Sequence, residues 1–332
     1  MARAVWTTSV YSVCHFLVDF FCAYLLFGRV YGGAAWVTGM LLYNFCAFAL
    51  QMPFGLLADR LDKNRIVAAA GCALVASAYF PGFAPVPMCM TAGVGNALFH
   101  VGGGVDVLNL SGKKAGLLGV FISPGAFGIF FGAALGKAGA LPVLPAVLCL
   151  ASGAAAILLL CKAPRNEPIS FEGTGKLWAI ALCLFLVVVI RSYAGFLFAF
   201  PWKTGPWATV LVCSVVLGKT AGGFLSDQFG LRRTVAASLG LAALLFLFSD
   251  SAVCGVTAVL LFNMTMPVTL RLAADVFPGA KGFSFGLLTF ALFGGFACAW
   301  LGLIPRGSGG YYAALSVLSA ALLVPSVHRA EV

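Results

Sequence analysis

The sequence predicts an all-α polytopic membrane protein with twelve transmembrane helices in two pseudo-symmetric six-helix bundles. Three observations carry this: apolar stretches of membrane-spanning length along the whole chain, basic residues gathered on alternate connections, and one loop pattern that occurs twice. Of 332 residues, 62% are hydrophobic and only 9% charged, against about a quarter charged in soluble proteins. A surface this apolar needs lipid as solvent for much of it. The net charge of +10 would otherwise raise nucleic acid. Here Lys and Arg sit between apolar runs, so topology accounts for them and no nucleic-acid partner is expected. The eleven Cys form no CxxC pair, and most lie inside apolar runs (Cys22, Cys46, Cys149), so no disulfides are expected.

A bilayer core takes about 20 apolar residues per helix. On that measure the spans fall near 5–27, 33–53, 66–84, 86–106, 115–136, 139–161, 177–200, 206–225, 233–250, 252–273, 283–304 and 311–328. The third and fourth run close together through Pro81, Pro85 and Pro87. The first holds His15 and Asp19 and reads as an uncleaved span, not a signal peptide. The longest connection, 163–176, carries Arg165, Glu167, Glu172 and Lys176 near the midpoint. The expected domains are therefore a bundle over 1–162, a cytoplasmic linker over 163–176 and a bundle over 177–332. With the N-terminus inside, 13 of the 20 Lys and Arg fall on the cytoplasmic side. Four (Arg29, Lys137, Lys203, Arg306) fall outside, and three (Arg191, Lys219, Arg271) lie within spans. That imbalance predicts two cytoplasmic termini, and the compact loops point to a bacterial inner membrane.

Residues 55–65 read GLLADRLDKNR, and residues 223–233 read GFLSDQFGLRR. Aligning Asp59 with Asp227 gives an offset of 168, close to half the chain, and Arg65 then meets Arg233. A loop that recurs six spans later is what duplicated halves produce. Gly55 and Gly223 allow close packing at the membrane edge. Asp59 and Asp227 are expected to begin a tight turn, capping the next helix or pairing with a base. Arg60, Arg65, Arg232 and Arg233 supply positive charge where the cytoplasmic side requires it.

This pattern resembles the signature loop of the major facilitator superfamily in both its expected places. The first copy departs from it, with Asp62 where that family usually has Gly; Gly230 fits in the second. The resemblance implies the major facilitator fold, with a central cavity lined by spans 1, 4, 7 and 10, a small-molecule substrate and a monomer. The segments HFLVDFF (15–21), GNALFHVGGG (95–104) and SPGAFG (123–128) further resemble fosmidomycin-resistance-type members, which are similar to proton-driven exporters.

Ionisable groups deep in a bilayer cost about 2.5–3.5 kcal/mol each at a helix centre. His15, Asp19, His100, Arg191 and Arg271 all fall on the four spans that the resemblance makes cavity-lining. His15 and Asp19, four apart on one helix face, are two coupled titrating groups suited to carrying a proton. Arg191 maps by the repeat one turn from Asp19, so its expected partner is Asp19 or an anionic substrate, and competition between those two for the guanidinium would couple protonation to binding. His100, Arg271, Asn96 and Asn263 complete the expected substrate-binding set. Asp106 and Lys219 are expected nearer the cytoplasmic ends, as closing contacts. Gly128, Gly132 and Gly136 form a small-residue stripe after Pro124, loosely similar to the Gly/Pro motif of superfamily antiporters.

The expected function is a proton-coupled antiporter exporting a small organic compound or drug by alternating access, with an anionic substrate favoured by the basic groups within the spans. The alternative is a proton-coupled importer of a small metabolite. An intramembrane enzyme is disfavoured: there is no HExxH, and GFSFG (282–286) opens a helical span. No metal site, cofactor or P-loop is expected. A receptor is disfavoured because no loop is long enough for a soluble module.

Overall fold

The structure, a computed structural model, describes residues 2–80, 82, 84–139, 143–169, 175–303 and 307–331. Pro81, Arg306 and the 170–174 part of the expected linker, with Glu172, lie outside the described residues. Among the described residues all regular structure is helical: α1 (Ala2–Arg29), α2 (Trp36–Asn44), a π-helical turn (Phe45–Ala49), α3 (Gln51–Leu61), α4 (Asn64–Ser77), α5 (Pro85–Ser111), α6 (Gly116–Ile122), α7 (Pro124–Ala138) and α8 (Val143–Leu160), then α9 (Gly175–Leu197), α10 (Pro206–Phe229), α11 (Leu231–Phe246), α12 (Ala252–Asn263), α13 (Thr265–Val276), α14 (Lys281–Trp300) and α15 (Gly309–Glu331). α2 runs into α3, α6 into α7 and α12 into α13, so the helices make twelve runs that match the twelve expected spans. Nine of these are long and apolar enough to cross a bilayer, and α4 is a shorter apolar helix.

Two interruptions have local causes. Pro124 has no N–H to continue the ladder, and α6 gives way to α7 at Ser123. In the second run the Leu50 N–H reaches back five residues to the Phe45 carbonyl at 3.3 Å. The Gln51 amide donates to the Ala47 carbonyl at 2.5 Å, and Pro53 cannot serve the carbonyl of Ala49.

The chain forms two compact units. One comprises Met1–Gly112, Pro124–Ile169 and Gly279–Phe290; the other comprises Lys113–Ser123, Ser170–Pro278 and Ala291–Val332. In the first, α1 packs along α7, and α4 lies against α5 and α8. In the second, α11 packs on α15, α10 on α12 and α6, and α9 on α13 and α15.

The packing is that of a protein in lipid. On α7 the buried residues are Gly125, Gly128, Gly132 and Gly136, while Ile129, Phe131 and Leu135 are exposed. A Cβ on Gly128 or Gly136 would lie 2.5 or 2.6 Å from the carbonyl oxygens of Phe16 and Tyr24, and one on Gly132 would collide with that of Phe20. Hiding large side chains gains little when lipid is as apolar as Leu, so close backbone contact is what binds these helices.

The repeated loops are more helical than expected. Gly55, Asp59 and Arg60 lie in α3, and Gly223 and Asp227 in α10. The turns begin later, at Asp62 and Gly230, because both helices stay continuous until a residue with positive φ ends them. Asp62 is the one non-glycine residue with positive φ among those described, at +50°. Its carboxylate accepts the Asn166 N–H at 2.8 Å. Arg65 donates to the carbonyls of Cys161 at 3.0 Å and Leu158 at 3.4 Å, and Arg232 and Arg233 are exposed in the first turn of α11.

Candidate functional site

α1 carries His15 and Asp19 one turn apart on its buried side, with His15 Nε2 at 3.1 Å from Asp19 Oδ2. α5 brings Asn96 and His100, also one turn apart. The Asn96 amide donates to Asp19 Oδ1 at 2.8 Å. His100 Nδ1 lies 2.9 Å from the Asn96 carbonyl. A carbonyl only accepts, so Nδ1 carries the proton of a neutral His100, and Nε2 presents a lone pair. That Nε2 is 2.9 Å from His15 Nε2 and 3.8 Å from Asp19 Oδ1. All four residues are buried. α7 borders the group with Gly125, where a Cβ would overlap both His15 Nε2 and Asp19 Oδ2. Two imidazoles and one carboxylate in contact can take up, share and release protons among themselves. His100 and Asn96, expected from the sequence to contact the substrate, stand in this cluster with His15 and Asp19.

A second polar network occupies the same unit. Asp106 accepts from the Tyr11 hydroxyl at 2.6 Å and the Asn64 amide at 2.9 Å. Asn64 and Asn109 both donate to the Asn166 side-chain oxygen, at 2.9 and 2.8 Å. Asn166 in turn donates to the Ala58 carbonyl at 3.0 Å, which ties the segment around Asn166 to α3, α4 and α5.

In the other unit, Arg191 on α9 is buried. It donates to the hydroxyls of Thr265 at 3.0 Å and Thr269 at 3.3 Å on α13. Among the described residues no carboxylate pairs with it. Arg271 is different: Asp275, one turn along the same helix, neutralises it at 2.6 Å. The Asn263 amide donates to its own helix at the Val259 carbonyl, 2.8 Å away. Lys219 donates to the Ile122 carbonyl at 3.3 Å. Asp275 escaped the sequence reading because it lies past the expected end of the tenth span, although Arg and Asp four apart were visible as a pair. Nothing in the sequence singled out Thr265 and Thr269, since hydroxyls are ordinary in apolar helices.

The repeated aspartates cap helices, but not the next ones along the chain. Asp59 accepts the backbone N–H groups of Gly282 at 2.7 Å and Phe283 at 2.9 Å, at the start of α14. Asp227 accepts those of Ala115 at 2.7 Å and Gly116 at 2.9 Å, at the start of α6. These N–H groups have no partner inside their own helix, and the helix dipole favours the carboxylate there. Gly55 and Gly223 make the approach possible. A Cβ on Gly55 would collide with the Gly282 carbonyl, and one on Gly223 would lie 2.6 Å from that of Ala115. Positions 115 and 282 differ by 167, within one residue of the repeat that relates the aspartates. The duplication therefore covers the capped helices as well as the loops. Lys281 supports the first arrangement, reaching Asn109 and Glu167 at 3.1 Å each.

No protein-family model matches the sequence, and no curated protein matches it. Solved structures do share its architecture. The E. coli fucose:proton symporter FucP aligns over 98% of this chain and 97% of its own, with a TM-score of 0.72 and 14% identity. FucP as a major facilitator superfamily transporter in the outward conformation aligns over 98% and 99%, with a TM-score of 0.71 and 14% identity. The human organic anion transporter MFSD10 (TETRAN) aligns over 97% and 99%, with a TM-score of 0.70 and 17% identity. These similar proteins are transporters. In its helices, apolar spans and alignment from end to end, this integral membrane chain has the fold of the major facilitator superfamily transporters.

Proposed function

We propose that the chain is a secondary active transporter of the major facilitator superfamily, of fosmidomycin-resistance type, which exports a small organic anion in exchange for protons by alternating access. The observation that carries this is the buried group of His15, Asp19, Asn96 and His100 on a fold shared with a proton symporter. Asp19 and His15 hold the coupling proton, with His100 and Asn96 positioning them. Arg191 holds the substrate: a buried guanidinium met among the described residues by the hydroxyls of Thr265 and Thr269 has positive charge to offer an anion. Arg271, already paired with Asp275, and Asn263, turned to its own helix, have less support as substrate contacts. The structural likeness to an organic anion transporter agrees with the charge expected of the substrate. The capped loops (Gly55, Asp59, Arg60, Arg65 and Gly223, Asp227, Arg232, Arg233) are assigned to gating, and the location to a bacterial inner membrane with both termini cytoplasmic.

A second reading is proton-coupled uptake, favoured by the likeness to a symporter. Purified protein in liposomes with an internal pH dye separates the two. Organic anions moving against the direction of protons support exchange, and movement together supports uptake. Labelled substrate flux with no proton movement for any compound overturns both.

A further inference from the structure

We infer that His15, Asp19 and His100 form a binding site for a first-row divalent metal ion, of which Zn²⁺ and Co²⁺ fit best. One donor atom from each lies within 4.8 Å of the others. The separations are 2.9 Å between the two Nε2 atoms, 3.1 Å from His15 to Asp19 and 3.8 Å from His100 to Asp19. Bonds of about 2.0–2.1 Å at tetrahedral angles place ligand atoms about 3.3 Å apart, within the span of those separations. Two imidazoles and one carboxylate suit these ions, whereas Mg²⁺ and Ca²⁺ take oxygen ligands. Three protein ligands leave a fourth coordination position open.

The surroundings are those a metal ligand uses. The Asn96 carbonyl takes the Nδ1 proton of His100 and so presents the Nε2 lone pair to the other two donors. The Asn96 amide fixes Asp19. α1 supplies His15 and Asp19 from one helix face, and Gly125 keeps α7 from filling the space beside them. An ion here takes the same lone pairs as a proton, so it would arrest the coupling proposed above. Its binding does not depend on the chain transporting anything.

Tag-free protein titrated with Co²⁺ is expected to bind one ion per chain. The visible spectrum should be that of a four-coordinate nitrogen and oxygen site, without a thiolate charge-transfer band, and Zn²⁺ should abolish it. His15→Gln and His100→Gln should each weaken binding about tenfold or more. His328→Gln, at the exposed third histidine, should leave it unchanged. Size-exclusion profiles establish that each variant is folded. If a histidine variant misfolds, Asp19→Asn, which keeps the size of the side chain, gives the same reading. Less than one ion per chain, a thiolate band, or wild-type affinity in a folded ligand variant would overturn the site. Proton flux in liposomes is a separate result, so failure of coupling and failure of metal binding are told apart.

Discussion

Asp59 and Asp227 make the same pair of hydrogen bonds, to two successive N–H groups at a helix start, within 0.1 Å of the same lengths. The ionisable residues deeper in the spans follow no such rule. One unit buries a carboxylate among two imidazoles and an amide; the other buries a guanidinium between two threonines. The duplicated chain has thus kept its framework and let its interior chemistry diverge. Framework bonds depend on backbone geometry that both halves share. Interior charges depend on the side chains that meet them within each half, and nothing holds those equal.

If the divergence is functional, the largest effects come from Asp19 and Arg191, and they differ in kind. Asp19→Asn should abolish gradient-driven transport while leaving substrate exchange across liposomes largely intact, because an amide cannot carry the proton. Arg191→Ala should lose substrate affinity by tenfold or more, the scale of about 1.5–3 kcal/mol for a bond to a charged group. Flux driven by a pH gradient and equilibrium exchange with labelled substrate separate these outcomes. Normal accumulation by Asp19→Asn, or unchanged affinity in Arg191→Ala, returns that residue to a structural role.

The framework comparison can be sharpened by burial. Asp59 is buried, whereas Asp227 is exposed. Asn in place of either keeps one acceptor but turns an N–H₂ toward a backbone N–H. At the buried position this should cost about 1.5–3 kcal/mol. Solvent screens the exposed position, so the loss there should be no more than about 1 kcal/mol. Thermal unfolding in detergent is the measurement, and equal losses would mean that burial does not set the value of these contacts.

Much of this was legible in the sequence because membrane folds are written in composition. Twelve apolar runs and the 168-residue repeat are each properties of a string. His15 and Asp19 were visible as a pair because one helix carries both at a fixed spacing. Their junction with Asn96 and His100 was not, since it requires α1 and α5 to meet at a particular rotation, which no local pattern encodes. The same applies to Asp59, expected to cap the next helix or pair with a base, when it caps α14, more than 220 residues away. Thr265 and Thr269 became distinct only once Arg191 was seen to lie against them.

The smallest expected effect is at Asp62, one of two turns at which the sequence departs from its own repeat, the other being Gly230. Asp62 sits at φ +50°, ψ +37°, the left-handed helical region that Asp enters at modest cost. Gly230 sits at φ +89°, ψ +148°, where the backbone is open essentially to glycine alone. Gly230→Ala should therefore lose about 1–3 kcal/mol of stability. Asp62→Gly relieves the left-handed cost but gives up the bond from Asn166 and adds freedom to the unfolded chain, so its net change should stay within about 0.5 kcal/mol. Denaturation of the two variants side by side decides the matter. A loss at Asp62 as large as that at Gly230 would show that its contact with Asn166, and not the turn, is what position 62 supplies.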